Sequence, residues 1–548
     1  MKHIFFKFFL ILISTMIFSC GEDGNDGIDG VNGTDGEINS TGLGRIVLSG
    51  DITDEEAAMI ISEQGGTNTH TIIVDNTTNL TSLEFPQISN LVKIDITRNQ
   101  RLRQVSFPDL QATYDDVDID FNDALESISM PNLTNAFGSS RITSNDILNT
   151  IDCVNLEKVE DFTISNNPLL ERLLFPNLVE AIDRLSITSL DNLIELNINS
   201  LEVVKEIQIR SHPNLLALNF PVLNEVDEMQ ISSNPLMESL DFPQLTNSSI
   251  ENFTDDASIS ITNNTNLRSV NLGVLSKSGD VQLRNNENLT SINLAALENS
   301  YFVGIDNNAL LDNITLPKLV DSRGIGVSGN PMLSAASFPV LEKSRGIRVS
   351  DNQVLTSIQF EVLEENEGSF TMSNNQALRN ASFPNLRITR SIFIITDNIM
   401  LESFSFPVLT FIGNEQDGTT FRIRDNNMVS SISFPNLATV TIDRMDIRGD
   451  AIASVDFSKL TTFSVLDIQS TVLLNSVMLS SVQDFTEIDL FSSGRLSESA
   501  IDGILSRLVS ITPAITRKEI SLRGSISTQA QANIQTLRDN NNTVNISN

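Results

Sequence analysis

The chain has 548 residues, with 35 Lys+Arg against 70 Asp+Glu and a formal charge of −35. Such a field repels polyanions, and no run of Lys/Arg overrides it, so nucleic acid and anionic lipid surfaces are disfavoured as partners. Three His, two Cys and no Trp leave little material for metal or thiol chemistry, so no metal, no cofactor and no catalysis are expected.

At the amino terminus, Lys2 and Lys7 precede an apolar run from Phe8 to Phe18, the length of a signal-peptide core and short for a membrane span. The run ends in Ile17-Phe18-Ser19-Cys20, which resembles the lipobox of bacterial lipoproteins. That resemblance implies removal of residues 1–19 and a diacylglyceryl group on Cys20, anchoring the protein to the outer membrane. Residues 20–44 form the next segment, with glycine at 24, 27, 30, 33 and 36. The period is that of collagen, but there is no proline to stiffen it and the Asp residues would repel, so a solvated tether is expected. Its Asp-Gly pairs miss the calcium-loop pattern. Acidic residues directly behind Cys20 resemble the surface-export signals of Bacteroidetes lipoproteins, which implies exposure on the cell surface.

Residues 45–73 read as a cap. Val47 to Ile52 leads into Thr53-Asp54-Glu55-Glu56, a capping box that starts a helix running to about Gln64.

From 74 to 495 the chain repeats. Phe-Pro begins at 85, 107, 175, 220, 242, 338, 383, 406 and 434, and Met130, Cys153, Ile198, Leu272, Leu294, Leu316 and Phe360 hold the same phase. Most steps are 22 or 23 residues; two are 30 and 28. Counting from a strand-centre residue n, Asn lies at n+3, Leu at n+6, an apolar residue at n+9, Phe at n+11 and Pro at n+12. Alternation such as Ile94-Asp95-Ile96 before the Asn is the period of a half-buried strand. Neither strand of a unit can bury its apolar side alone, so successive units must stack into one core.

The Asn recurs at Asn99, Asn122, Asn145, Asn167, Asn234, Asn264, Asn286, Asn308, Asn330, Asn352, Asn375, Asn398 and Asn426, a ladder of stacked amides able to bond the backbone of their own and the next coil. His212 takes the Asn position of its unit and Cys153 the inward Phe position, so both read as structural.

This unit resembles a leucine-rich repeat, and more closely the receptor L-domain type. The resemblance implies a mainly β, right-handed solenoid of about nineteen coils with helical caps at both ends, on the order of 90 Å long at the strand spacing. Residues 496–548 form the second cap: Ser497 starts a helix with Ile501, Ile504, Leu505 and Leu508 on its apolar face, Glu519 to Leu522 is a strand, and a second helix runs from about Thr528 to Arg538.

The outward side chains are hydroxyls, amides and a few arginines, with almost no aromatic platform; they suit an extracellular protein or polar-glycan partner. Arg348, Arg422, Arg424 and Arg448 are the candidate ligand contacts, with Asp425, Asp443 and Asp446 as alternative partners for the last three. The two long units place extra loops near Asn247 to Asp256 and Gly413 to Gly418. The function expected is surface recognition or adhesion; the alternative is a structural envelope component that associates with itself.

Overall fold

The computed structural model describes residues 42–248, 258–413 and 420–547. The signal peptide, Cys20, nearly all of the tether and most of both long loops lie outside them.

The mainly β solenoid expected from the repeat is the one observed. Its spine is a parallel ladder, part of a 28-stranded sheet. The ladder strands rise in sequence order, from Arg45–Gly50 beside Thr71–Thr77, through Lys93–Thr97 and its successors, to Glu519–Arg523 beside Thr543–Ser547. A second face is built from three-residue strands such as Gln104–Ser106 and Ser127–Ser129, again parallel, which carry the apolar residue at n+9 and lead into the Phe. The Phe itself points into the coil.

Sequence reasoning missed a third segment. Asn90–Leu91, Ala112–Thr113 and their equivalents form two-residue strands just after the Phe-Pro corner, and in several coils they run on into the ladder strand, as in Asn135–Thr143 and Lys158–Ser165. A register shift marks the bend between the two parts.

The coil count also changes. About nineteen were expected and about 21 turns are present. Both caps contribute rungs: Arg45–Gly50 pairs with Thr71–Thr77, and Glu519–Arg523 continues from Glu487–Asp489. In the last coils helices replace the Phe strand as the return path, so the 22-residue phase is lost while the ladder pairing persists.

Among the described residues three helices accompany the ladder: α1 (Asp54–Gln64), α2 (Glu498–Val509) and α3 (Thr528–Asp539). Thr53 caps α1 through the expected box, accepting from the Glu56 amide at 3.3 Å while the Glu56 carboxylate accepts from the Thr53 amide at 2.9 Å. Ser497 caps α2, and Ile501, Ile504, Leu505 and Leu508 are its buried face. The apolar ends of the stack are thus covered while the ladder runs on beneath.

One apolar core runs from Ile46 to Val544. Every Phe of the Phe-Pro series is buried, and rings in successive coils stack: Phe85 on Phe107 at 4.8 Å, Phe383 on Phe406 at 4.9 Å and Phe406 on Phe434 at 5.6 Å between centroids. Burying one such side chain is worth about 1.5–3 kcal/mol, and ring pairs add about 0.5–1.5 kcal/mol, so coils whose rings stack gain cohesion over those where Met130, Cys153, Ile198, Leu272, Leu294 or Leu316 holds the position.

The asparagines close the turn after each ladder strand. Asn286 shows the arrangement: its Oδ1 accepts from the Asn264 amide at 3.0 Å, and its Nδ2 donates to the Ile261 carbonyl at 2.9 Å. Both groups belong to the preceding coil, so each amide braces the turn before it. The pattern holds from Asn99, which serves Thr77 and Val74, to Asn426, which serves Asn398 and Ile395. Among the described residues between those limits it is interrupted at two successive positions, Leu190 and His212; the His212 ring keeps the bond to the Ile187 carbonyl but has no amide oxygen.

The residue before each ladder position is left-handed, with φ between 52° and 62° at the non-glycine sites from Asn76 to Asp425. Asn, Ser and Asp fill most of these sites, and short polar side chains tolerate that region best. Phe121, at φ 56°, does not fit that rule.

Candidate functional site

Side chains immediately before and after each strand centre form two rows pointing away from the core. From Arg141 to Arg424 these rows carry Arg141, Arg210, Arg284, Arg348, Arg422 and Arg424, spaced three rungs apart, among Ser, Thr and Gln. Among the described residues the only carboxylate on them is Asp306. In a chain with 70 acidic residues this makes the middle of the ladder face a cationic stretch, flanked on the same rows by Asp95, Asp118 and Asp120 before it and by Asp446 and Asp467 after it.

Near the middle of that face lies a depression of about 850 Å³, within the range of roughly 300–1,000 Å³ typical of ligand sites. Its floor is glycine. Gly304 and Gly326 occupy the row before the strand centre, and Gly324 and Gly346 lie two residues earlier on their strands. Phe302 lies across them: a Cβ on Gly304 would come within 2.6 Å of the ring, one on Gly324 within 2.7 Å and one on Gly326 within 3.1 Å. Any side chain there would lift the ring. The half-buried Phe302 is thus seated on bare backbone, and it corrects the expectation that this surface lacks an aromatic platform.

Around the ring stand three guanidinium groups. Arg284 pairs with Asp306 at 3.0 Å, Arg348 donates from Nε to Ser350 Oγ at 3.0 Å, and Arg323 lies 4.2 Å above the centre of the Tyr301 ring. Desolvation raises the Asp306 carboxyl above its ordinary value, against the opposing pull of Arg284 and Arg348. Ile392 and Ile394 form the apolar far wall.

Of the residues proposed from sequence, Arg348 lines this depression. Arg422, Arg424 and Arg448 lie three and four rungs further on, outside it. Arg424 and Arg448 share one partner, Asp446, which is buried; the Arg448 Nε lies 3.1 Å from it. Burial, reinforced by the like charges of Arg448 and Arg422, holds the Arg424 guanidinium below its usual value. Arg444, not singled out from sequence, pairs with the buried Asp467 at 2.8 Å.

The signal for the depression was present in the sequence. Gly304 and Gly326, and Gly324 and Gly346, are each 22 residues apart, a repeat of glycine at outward positions where the neighbouring coils have Gln282, Arg348 and Thr371 on one row and Phe302 and Ser369 on the other.

His212 and Cys153 sit inside. His212 Nε2 bonds the Ile187 carbonyl at 2.9 Å, its amide donates to Asn234 Oδ1 at 3.2 Å, and burial keeps the imidazole below its ordinary pKa in spite of nearby carbonyls. Burial, with a smaller contribution from Asp152, pushes the Cys153 thiol up to about 12. Among the described residues no three His, Cys, Asp or Glu side chains converge as a metal site, and no helix is long and apolar enough to cross a membrane.

No protein-family model matches the chain, and no curated protein does. Among solved structures it is similar to a leucine-rich repeat protein from Bacteroides ovatus ATCC 8483, at 14% identity over 63% of this chain and 99% of that one, with a TM-score of 0.26. It is also similar to the pneumococcal vaccine antigen PcpA, at 14% identity over 62% of this chain and 85% of that one, with a TM-score of 0.25.

Proposed function

We propose that this protein is a non-catalytic recognition scaffold, held at the bacterial outer surface by a lipid on Cys20 and binding an extracellular ligand through the outward face of its ladder. The observation that carries the reading is the charge of the middle of that face: between Arg141 and Arg424, among the described residues, its two central rows hold six arginines and one aspartate, in a chain of net charge −35. A rigid parallel ladder presents such side chains at fixed spacing, and a cationic strip on an acidic body orients an anionic partner before contact. The arginines at 422, 424 and 448 extend the strip beyond the depression and belong to the same contact surface.

The test is done on intact cells. Protease added outside should degrade the protein, Cys20→Ser should release it from the membrane fraction, and Arg422→Glu with Arg424→Glu should weaken adhesion of the cells to their binding surface. Protection from protease, or adhesion unchanged by the charge reversals, contradicts the surface reading and the arginine contacts respectively. A purified chain that associates with itself and binds nothing else would favour a structural envelope role.

A further inference from the structure

The depression coincides with a change in the charge pattern beside the central rows. Three residues before the strand centre, the earlier rungs carry Asp161, Arg184, Glu206, Glu228, Ser258 and Asp280, and the carboxylates of Glu206, Glu228 and Asp280 accept from Gln208, Gln230 and Gln282. On the following rungs that row reads Phe302, Gly324, Gly346, Ser369 and Ile392. Over this stretch, among the described residues, Asp306 is the one carboxylate left on the three outward rows, and Arg284 answers it.

What remains is a flat aromatic and aliphatic floor bounded by guanidinium and hydroxyl groups. Arg284 and Arg348 stand three rungs apart, about 14 Å at the strand spacing, and Arg422 is another three rungs on. The ladder strands under the depression pair on both sides, so no free backbone edge is available for an extended peptide to join as an added strand. A pyranose fits these terms better: its C–H face can lie on Phe302, its hydroxyls meet Ser328 and Thr371, and a carboxylate meets a guanidinium fork.

We propose that the depression binds a carboxylate-bearing oligosaccharide, with one sugar ring on Phe302 and acidic groups on Arg284 and Arg348. The proposal rests on the recognition reading above and names its ligand class.

The test is calorimetric titration of the whole chain with a galacturonic acid hexamer, its methyl ester and a glutamate hexamer. The acid hexamer should bind, more weakly as salt rises, with the ester at least about tenfold weaker because the charge-assisted bonds are gone. Arg348→Gln should weaken binding about tenfold or more. So should Gly346→Asp, which points a carboxylate into the depression; the nearest atom to its Cβ is the Ser369 carbonyl oxygen at 3.8 Å, so the fold has room for it. Thermal unfolding of both variants should match the parent.

Silence toward the acid hexamer, equal affinity for the ester, tighter binding of the glutamate hexamer, or indifference to both substitutions in folded protein overturns the proposal. A chain that ignores the uronate yet still supports adhesion in the cell assay loses this inference and keeps the recognition reading; a chain that does neither loses both.

Discussion

Replacing Asn286 with alanine probes the amide ladder where its bonds are clearest. The side chain is fully buried and serves two backbone groups of the preceding coil, the Asn264 amide at 3.0 Å and the Ile261 carbonyl at 2.9 Å. Alanine leaves both without a partner in a place water does not reach. Each orphaned group costs about 1–3 kcal/mol, so the expected loss is about 2–6 kcal/mol. In a stacked repeat the loss is felt first by the coils that share the turn, because each coil contacts only its neighbours. Hydrogen exchange should therefore show the Asn264 amide, and those around it, exchanging about 30-fold faster or more, at 1.4 kcal/mol per decade. Thr290→Ala is the control: its hydroxyl bonds the Arg268 carbonyl at 3.1 Å in an exposed position, and its loss should stay within about 0.5 kcal/mol. If Asn286→Ala and Thr290→Ala prove alike in exchange and in urea midpoint, the asparagines do not hold the turns.

His212→Asn restores the ladder residue and should remove a pH dependence. Burial holds the imidazole neutral in the folded chain, while the unfolded chain takes up a proton near the ordinary value of 6.5. Stability contributed by the neutral folded form is present above that value and lost below it, so the parent should weaken relative to the variant as pH falls from about 7.5 to 5.5. A urea-midpoint difference that is constant over that range contradicts this. Phe121→Gly relieves a bulky, exposed residue held at φ 56° and should raise stability by about 1 kcal/mol in thermal unfolding; a fall would show that the ring is needed. Arg444→Ala leaves the buried Asp467 carboxylate without its guanidinium and should cost about 1–3 kcal/mol, read from urea unfolding; no loss would mean the carboxylate is satisfied otherwise.

Much of this fold was legible because the repeat makes one physical demand over and over. Phe at n+11 and Asn at n+3 recur with little freedom, since a ring must meet the ring of the next coil and an amide must meet the turn of the last. What escaped had no such constraint. The two-residue strands after the Phe-Pro corner are too short to show alternation. The extra rungs at the ends lost the 22-residue phase when helices α2 and α3 replaced the Phe strand, although the backbone pairing continued. The Phe302 platform was hidden because attention to the two rows beside the strand centre overlooks the residue three before it. The glycines beneath it look unremarkable until their 22-residue spacing is set against their outward position. The amino-terminal expectations, Cys20 and the tether, fall outside the described residues and rest on the sequence alone.

The central claim is that residues one coil apart point into one shared interior, and cysteine scanning tests it most directly. With Cys20 replaced by serine and Cys153 left as the native buried thiol, single cysteines at Phe338, Phe360 and Phe383 should react with a water-soluble thiol reagent only after unfolding. Cysteines at Gln282, Thr371 and Arg348, on the outward rows of the same stretch, should react in the native protein. Equal native reactivity of the two sets would contradict the stacked core and, with it, the outward face on which the recognition reading depends.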